Sequence, residues 1–228
     1  MKPEGQRWLV VVLYAIAMAW VEAAVVYYLR SLIDRIEPYQ ANPLPIAAGF
    51  GTAELIREIA TLIMLFTVGW LAGTSWRARF GYSVVAFGVW DIFYYVFLRV
   101  MTGWPKSLLD WDILFLIPLP WWGPVWAPTS IALLMILWGT FMTKVERSPA
   151  SFGSQWKVLA LGGVGAALAL FTFMADAIST ADQGTEALRN MLPMRFNWPL
   201  FGVALALMAL PVADVVRQEL RAQRKVES

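Results

Sequence analysis

The sequence predicts an all-α integral membrane protein with six transmembrane helices and a short re-entrant or interfacial half-helix between the third and fourth. Three observations carry this expectation. Hydrophobic residues make up 59% of the 228-residue chain and charged residues only 15%, well beyond the apolar share of soluble domains. The apolar residues come in blocks of about 20, the length that crosses roughly 30 Å of hydrocarbon. The Lys and Arg residues lie between those blocks and divide unequally between the two sides that a six-span path defines.

The blocks fall at 8–30, 53–73, 79–100, 124–143, 156–178 and 198–216, within a single polytopic membrane domain covering 1–228. The first follows Lys2 and Arg7 and contains Ala17-Met18-Ala19, as a secretory signal with its cleavage site would. It then continues through Val25-Val26-Tyr27-Tyr28-Leu29, too far for a signal core, so a retained first helix is expected. Between the third and fourth blocks, Trp104 to Gly123 holds the apolar run Ile113-Leu114-Phe115-Leu116-Ile117, closed by Pro118, Pro120 and Pro124. This run is too short to cross and is expected to form the half-helix. Counting it as a full span leaves almost no loop before the next helix and moves Arg217 to Lys225 to the other side.

With the N-terminus cytoplasmic, eleven of the 18 basic residues, among them Lys2, Arg7, Arg77, Arg79, Lys144 and Arg147, lie on the cytoplasmic side. Six lie opposite (Arg30, Arg35, Arg99, Lys106, Arg189 and Arg195), and Arg57 falls inside the second span. The positive-inside bias places both termini in the cytoplasm of a bacterial-type inner (plasma) membrane. Trp8, Trp70, Trp76 and Trp156 fall near the cytoplasmic ends, while Trp104, Trp111, Trp121, Trp122 and Trp126 crowd the opposite interface. An aromatic belt accounts for most of them, and a cavity wall is the alternative for the second group. Gly69, Gly73 and the Gly162 to Ala167 run are expected to let helices cross closely. The spans differ in length and polar content, so an inverted repeat is not indicated.

The chain contains neither Cys nor His. Disulfides, thiolate chemistry, imidazole-ligated haem, His-liganded metals and a His general base are thereby excluded, and no cofactor or metal is expected. A net charge of +2, with the basic residues scattered, gives no footprint for nucleic acid. Phosphate loops, HExxH, Ser-His pairs and paired Asp-rich prenyl-diphosphate motifs are absent. Membrane lipids are the expected surroundings, with partner subunits in the membrane as a second class of contact.

Ionisable groups within lipid are expensive and by default functional or paired. Glu22 lies two-thirds along the first span, Asp91 near the middle of the third, and Glu54, Arg57 and Glu58 in the first two turns of the second. Asp112 opens the expected half-helix, Asp176 closes the fifth span, and Asn197 leads into the sixth. Tyr95 and Arg99 follow Asp91 by one and two turns, forming a polar ladder. In the orientation above these residues all fall in the outer half, with Asp91 at its floor, predicting a polar cavity open to the extracytoplasmic side.

Each candidate also has a purely structural explanation. Glu54 and Glu58 suit a helix N-terminus, Arg57 can pair with Glu54, Arg30 and Arg99 can snorkel, and Asp110 and Asp112 can cap. Glu22 and Asp91 resist this explanation, because a bare carboxylate at that depth costs several kcal/mol. They are expected to be protonated, wetted by a cavity, or paired with Arg57 or Arg99, and to share one network. The leading functional expectation is a small carrier binding a proton or cation at these acids. The alternatives are an accessory subunit of a larger membrane complex, and an enzyme acting on a lipid-linked substrate at the outer leaflet.

Overall fold

The computed structural model describes residues 4–32, 34–40, 50–116, 118–144 and 152–227. Lys2, Ile117 and Arg147 lie outside the described residues, as do the side chains of Lys144, Arg189, Arg221, Arg224 and Lys225. The helices are α1 (Glu4–Leu32), α2 (Phe50–Ala72), α3 (Trp76–Thr102), α4 (Trp126–Lys144), α5 (Phe152–Thr180), a short α6 (Thr185–Asn190) and α7 (Trp198–Glu227). All except α6 are long and apolar enough to cross a membrane, and the chain is a multi-pass membrane protein. Most of these helices outrun their expected spans. The 29 residues of α1 reach about 43 Å at 1.5 Å per residue, beyond the roughly 30 Å hydrocarbon layer.

α3 is the central helix, packed against α1, α2 and α4, while α5 packs along α7 and α4 joins the two groups. Missing side chains make the close crossings possible. A Cβ at Gly69 would stand 2.2 Å from the Ser83 backbone nitrogen, so α2 meets α3 backbone to backbone. A Cβ at Gly88 would stand 2.6 Å from the Ala132 carbonyl oxygen, and one at Gly139 equally close to that of Gly81, which fixes the α3–α4 contact. Gly165 meets the Ala204 carbonyl of α7 in the same way, and Gly162 makes room for Pro211 within α7. The expected close-packing role of Gly69 and of the Gly162 to Ala167 run is realised at Gly69, Gly162 and Gly165, but Gly163 faces open space.

The expected half-helix is not present. The segment forms an antiparallel hairpin of β1 (Trp111–Phe115) and β2 (Trp121–Pro124), pairing Asp112 with Gly123 and Ile113 with Trp122. The physical reason lies in the three prolines, which cannot donate to a helical ladder, and in the aromatic and β-branched content of Trp111-Asp112-Ile113-Leu114-Phe115, which suits a strand. Asp112 of β1 and Trp122, Gly123 and Pro124 of β2 are buried against protein, where non-helical backbone is tolerated. Its base is clamped by Val125 N–H donating to Asp110 C=O (3.0 Å) and Trp126 N–H donating to Leu108 C=O (2.7 Å). Phe115 packs on Phe87 and Trp90 of α3, and Trp121 stacks on Phe173 of α5 with the rings 3° from parallel. The hairpin thus wedges between the two helix groups.

Candidate functional site

Two charged clusters meet beneath the hairpin. In the first, Glu22 of α1 forms an ion pair with Arg57 of α2 and accepts a hydrogen bond from the Thr61 hydroxyl (3.1 Å). Arg57 lies one turn before Thr61, so both face α1 together. Its guanidinium also donates to Glu54 Oε2 from Nε (3.0 Å) and Nη2 (2.8 Å). One turn beyond Glu54, buried Glu58 accepts from the Leu116 N–H at 3.0 Å, tying α2 to the end of β1. A backbone donor that would otherwise end the strand unpaired is satisfied by a carboxylate.

In the second cluster, Arg30 of α1 donates from Nη2 to Asp112 Oδ1 (2.8 Å) and from Nη1 to the Ile36 carbonyl (3.2 Å). The face of the same guanidinium lies 4.5 Å from the centre of the Trp104 ring, a cation–π contact that stabilises buried charge. Asp112 is completely buried, and burial pushes its carboxyl above the usual range while Arg30 and Tyr95 pull it back down. Its Oδ2 has no hydrogen-bond partner of good geometry, although the Tyr95 phenol interacts with the carboxylate.

Asp91 is buried on α3, within electrostatic range of Asp112, and its Oδ2 is likewise unpartnered. Tyr94 lies in the electrostatic range of Arg30, Arg57, Asp91 and Asp112 together, which makes it the node between the two clusters. Two buried indole donors, Trp90 Nε1 and Trp121 Nε1, also lack partners, and both rings pack against Phe115 in the hairpin. Unpartnered acceptors and donors therefore flank the same wedge.

Glu22, Glu54, Arg57, Glu58, Asp91, Tyr95 and Asp112 are brought together. Arg99, Asp176 and Asn197 are not. Arg99 leaves the ladder above Tyr95 and donates to the Gly103 and Pro105 carbonyls beyond the end of α3. Asn197 Oδ1 accepts from the Leu200 N–H (3.1 Å) as the cap of α7. Asp176 is half-buried, and its carbonyl accepts from Ser179 and Thr180 within α5. Asp110 accepts from the Lys106 and Ser107 N–H groups, making a turn instead of a helix cap.

Sequence reasoning gave Arg30 to the interface and left Tyr94 and Thr61 aside. Two signals could have found them: Thr61 stands four residues after Arg57 on one face, and Arg30 stands eight after Glu22 on another. No cluster of acidic side chains with the arrangement of a metal site occurs among the described residues. No family model, curated protein or solved structure matches the chain.

Proposed function

We propose that the chain is a small proton- or cation-coupled carrier whose working groups are the carboxylates beneath the hairpin. The observation that carries this reading is the imbalance of charge: among the described residues Glu22, Glu54, Glu58, Asp91 and Asp112 gather around only Arg30 and Arg57, and Asp91 keeps an oxygen with no hydrogen-bond partner. Two guanidinium groups cannot neutralise five carboxylates. In a low-dielectric interior the remainder must hold protons or a bound cation, since an isolated buried carboxylate is strongly disfavoured. Exchange of that proton or cation would free Arg30 or Arg57 to change partners, and the hairpin wedge, held by Arg30–Asp112 and Glu58–Leu116, would move with them.

The test is flux through the full chain reconstituted in vesicles under an imposed pH or alkali-cation gradient. The expected result is a pH-dependent flux that Asp91→Asn abolishes while the variant remains folded. A wild-type protein that passes neither protons nor alkali cations, under gradients of either sign, would overturn the reading.

A further inference from the structure

Between α3, α4 and α7 lies a groove of about 980 Å³, at the upper end of the ~300–1,000 Å³ typical of ligand sites. α4 forms its floor, because α4 packs on both α3 and α7. Val96 and Val100 of α3 form one wall, and Gly202, Ala206 and Ala209 of α7 line the other at the four- and three-residue spacing of a single helix stripe. The small residues on α7 keep the walls apart: a Cβ built at Gly202 meets nothing within 4 Å.

The lining is ordered by polarity. Toward the middle of the helices it is apolar, and the two hydroxyl groups near the start of α4 are satisfied locally. Thr129 donates to the Val125 carbonyl and Ser130 to the Ala127 carbonyl, both at 2.8 Å. At the end marked by the last turn of α3 and the first residue of α4, the groove carries Arg99, Lys106 and half-exposed Trp126. Arg99 donates only to main-chain carbonyls and has no carboxylate partner among the described residues, so its charge stays available. Lys106 is bridged to Glu37 (2.6 Å), which raises its pKa and keeps it cationic, and Glu37 does not line the groove.

We propose that this groove holds one anionic phospholipid of the surrounding membrane, with its acyl chains between α3 and α7 and its phosphate at Arg99 and Lys106. Charge complementarity selects that occupant: an apolar slot about 12 Å deep along Trp126 to Leu134, headed by Arg99 with no carboxylate partner among the described residues, by the exposed ammonium of Lys106 and by an interfacial Trp, repeats the polarity order of a lipid molecule. A neutral helix of a partner protein would leave Arg99 without a counter-charge. Tyr95 lines the groove and also touches the Asp112 carboxylate, so a bound lipid would lie one side chain from the charged clusters.

The experiment uses the full chain in nanodiscs of phosphatidylcholine mixed with phosphatidylglycerol, with native mass spectrometry after release. The wild-type protein should retain one phosphatidylglycerol in preference to phosphatidylcholine. Arg99→Gln and Lys106→Gln should each reduce that preference about fivefold. Gly202→Phe, pointing into open space, should remove the retained lipid without lowering the unfolding midpoint in detergent. Should Gly202→Phe fold poorly, Ala206→Leu and the two Gln variants decide the matter. Equal retention of both lipids by the wild-type protein would overturn the proposal, as would unchanged retention in a folded groove variant. So would a dimeric mass that the groove variants dissociate, because the groove would then hold a second copy of the chain.

Discussion

Arg30 of α1 and Asp112 of β1, 82 residues apart, form an ion pair of 2.8 Å with side chains only 12% and 1% exposed. It fastens the hairpin to the first helix, and neither charge has water to fall back on. Breaking a buried pair by deleting one partner typically costs about 3–5 kcal/mol, whereas replacing both by apolar groups is often neutral. Arg30→Met and Asp112→Leu are each therefore expected to destabilise strongly, and the two together least of the three. Denaturant unfolding in detergent measures this, and a double variant as unstable as the sum of the two single losses would show that the pair does not act as a unit.

The same pair predicts a pH dependence. Burial raises the Asp112 carboxyl and Arg30 is the largest of the groups that oppose the rise, so in Arg30→Met the carboxyl rises further. The folded variant then holds its proton more tightly than the unfolded chain does. Its stability is fully present below the unfolded carboxyl value and is lost as pH climbs through the raised one. The penalty for Arg30→Met relative to wild type should grow as pH rises above the unfolded carboxyl value of about 4. A pH-independent penalty would mean that Asp112 is not the group left stranded.

The six long helices were legible because a membrane span needs some 20 apolar residues in a row, and nothing else in the chain produces such blocks. The hairpin was not. Its strands of five and four residues carry too little pattern to separate a buried strand from a buried helical turn, and the prolines that argue against a helix were read only as the end of one. Glu22 and Arg57 could be matched by depth and charge, but the partner of Arg30 could not, since Asp112 reaches it only through the fold of the hairpin. Gly81, Gly88 and Gly139 pack α3 on α4 as single glycines at wide spacing, which on a lone sequence do not reveal the helix they face.

Those glycines give a controlled comparison. Gly88→Ala drives a methyl group to within 2.6 Å of the Ala132 carbonyl oxygen, while Gly163→Ala meets nothing within 4 Å. The first should cost about 1–3 kcal/mol by overpacking. The second should be neutral or gain up to about 1 kcal/mol from helix propensity. Thermal unfolding of the two variants side by side checks this, and equal effects would contradict the close α3–α4 crossing.

Because the chain has no Cys, single cysteines can report its orientation. The basic residues predict cytoplasmic termini and outer loops near Pro38, Lys106 and Gly184. Cysteines at those loops should react with an impermeant reagent added outside intact cells. The hairpin adds a condition: its ends are bonded to each other through Asp110 and Val125, so positions 106 and 123 must label from the same side. Labelling from opposite sides would contradict the hairpin, and protection of all three loops would reverse the orientation.

The most consequential prediction concerns Glu22 and Asp91, which belong to different clusters that share Tyr94 within electrostatic range of their charges. Glu22 has its own cation in Arg57, whereas Asp91 has an unpartnered oxygen and an acidic neighbour in Asp112. Asp91→Asn keeps volume and hydrogen bonding without charge and should leave a folded protein that no longer moves protons or cations. Asp91→Leu should cost little stability, because it removes a buried polar group that has little to pair with. Glu22→Gln strands Arg57 only partly, since Glu54 still holds two of its donors, so it should reduce flux without unfolding the chain. If the clusters act together, Glu22→Gln with Asp91→Asn should be no worse than Asp91→Asn alone, and Tyr94→Phe should loosen that coupling by 0.5 kcal/mol or more, about the lower limit for residues sharing a network. Strictly additive losses of both stability and flux, unaffected by Tyr94→Phe, would separate the two acids into independent sites.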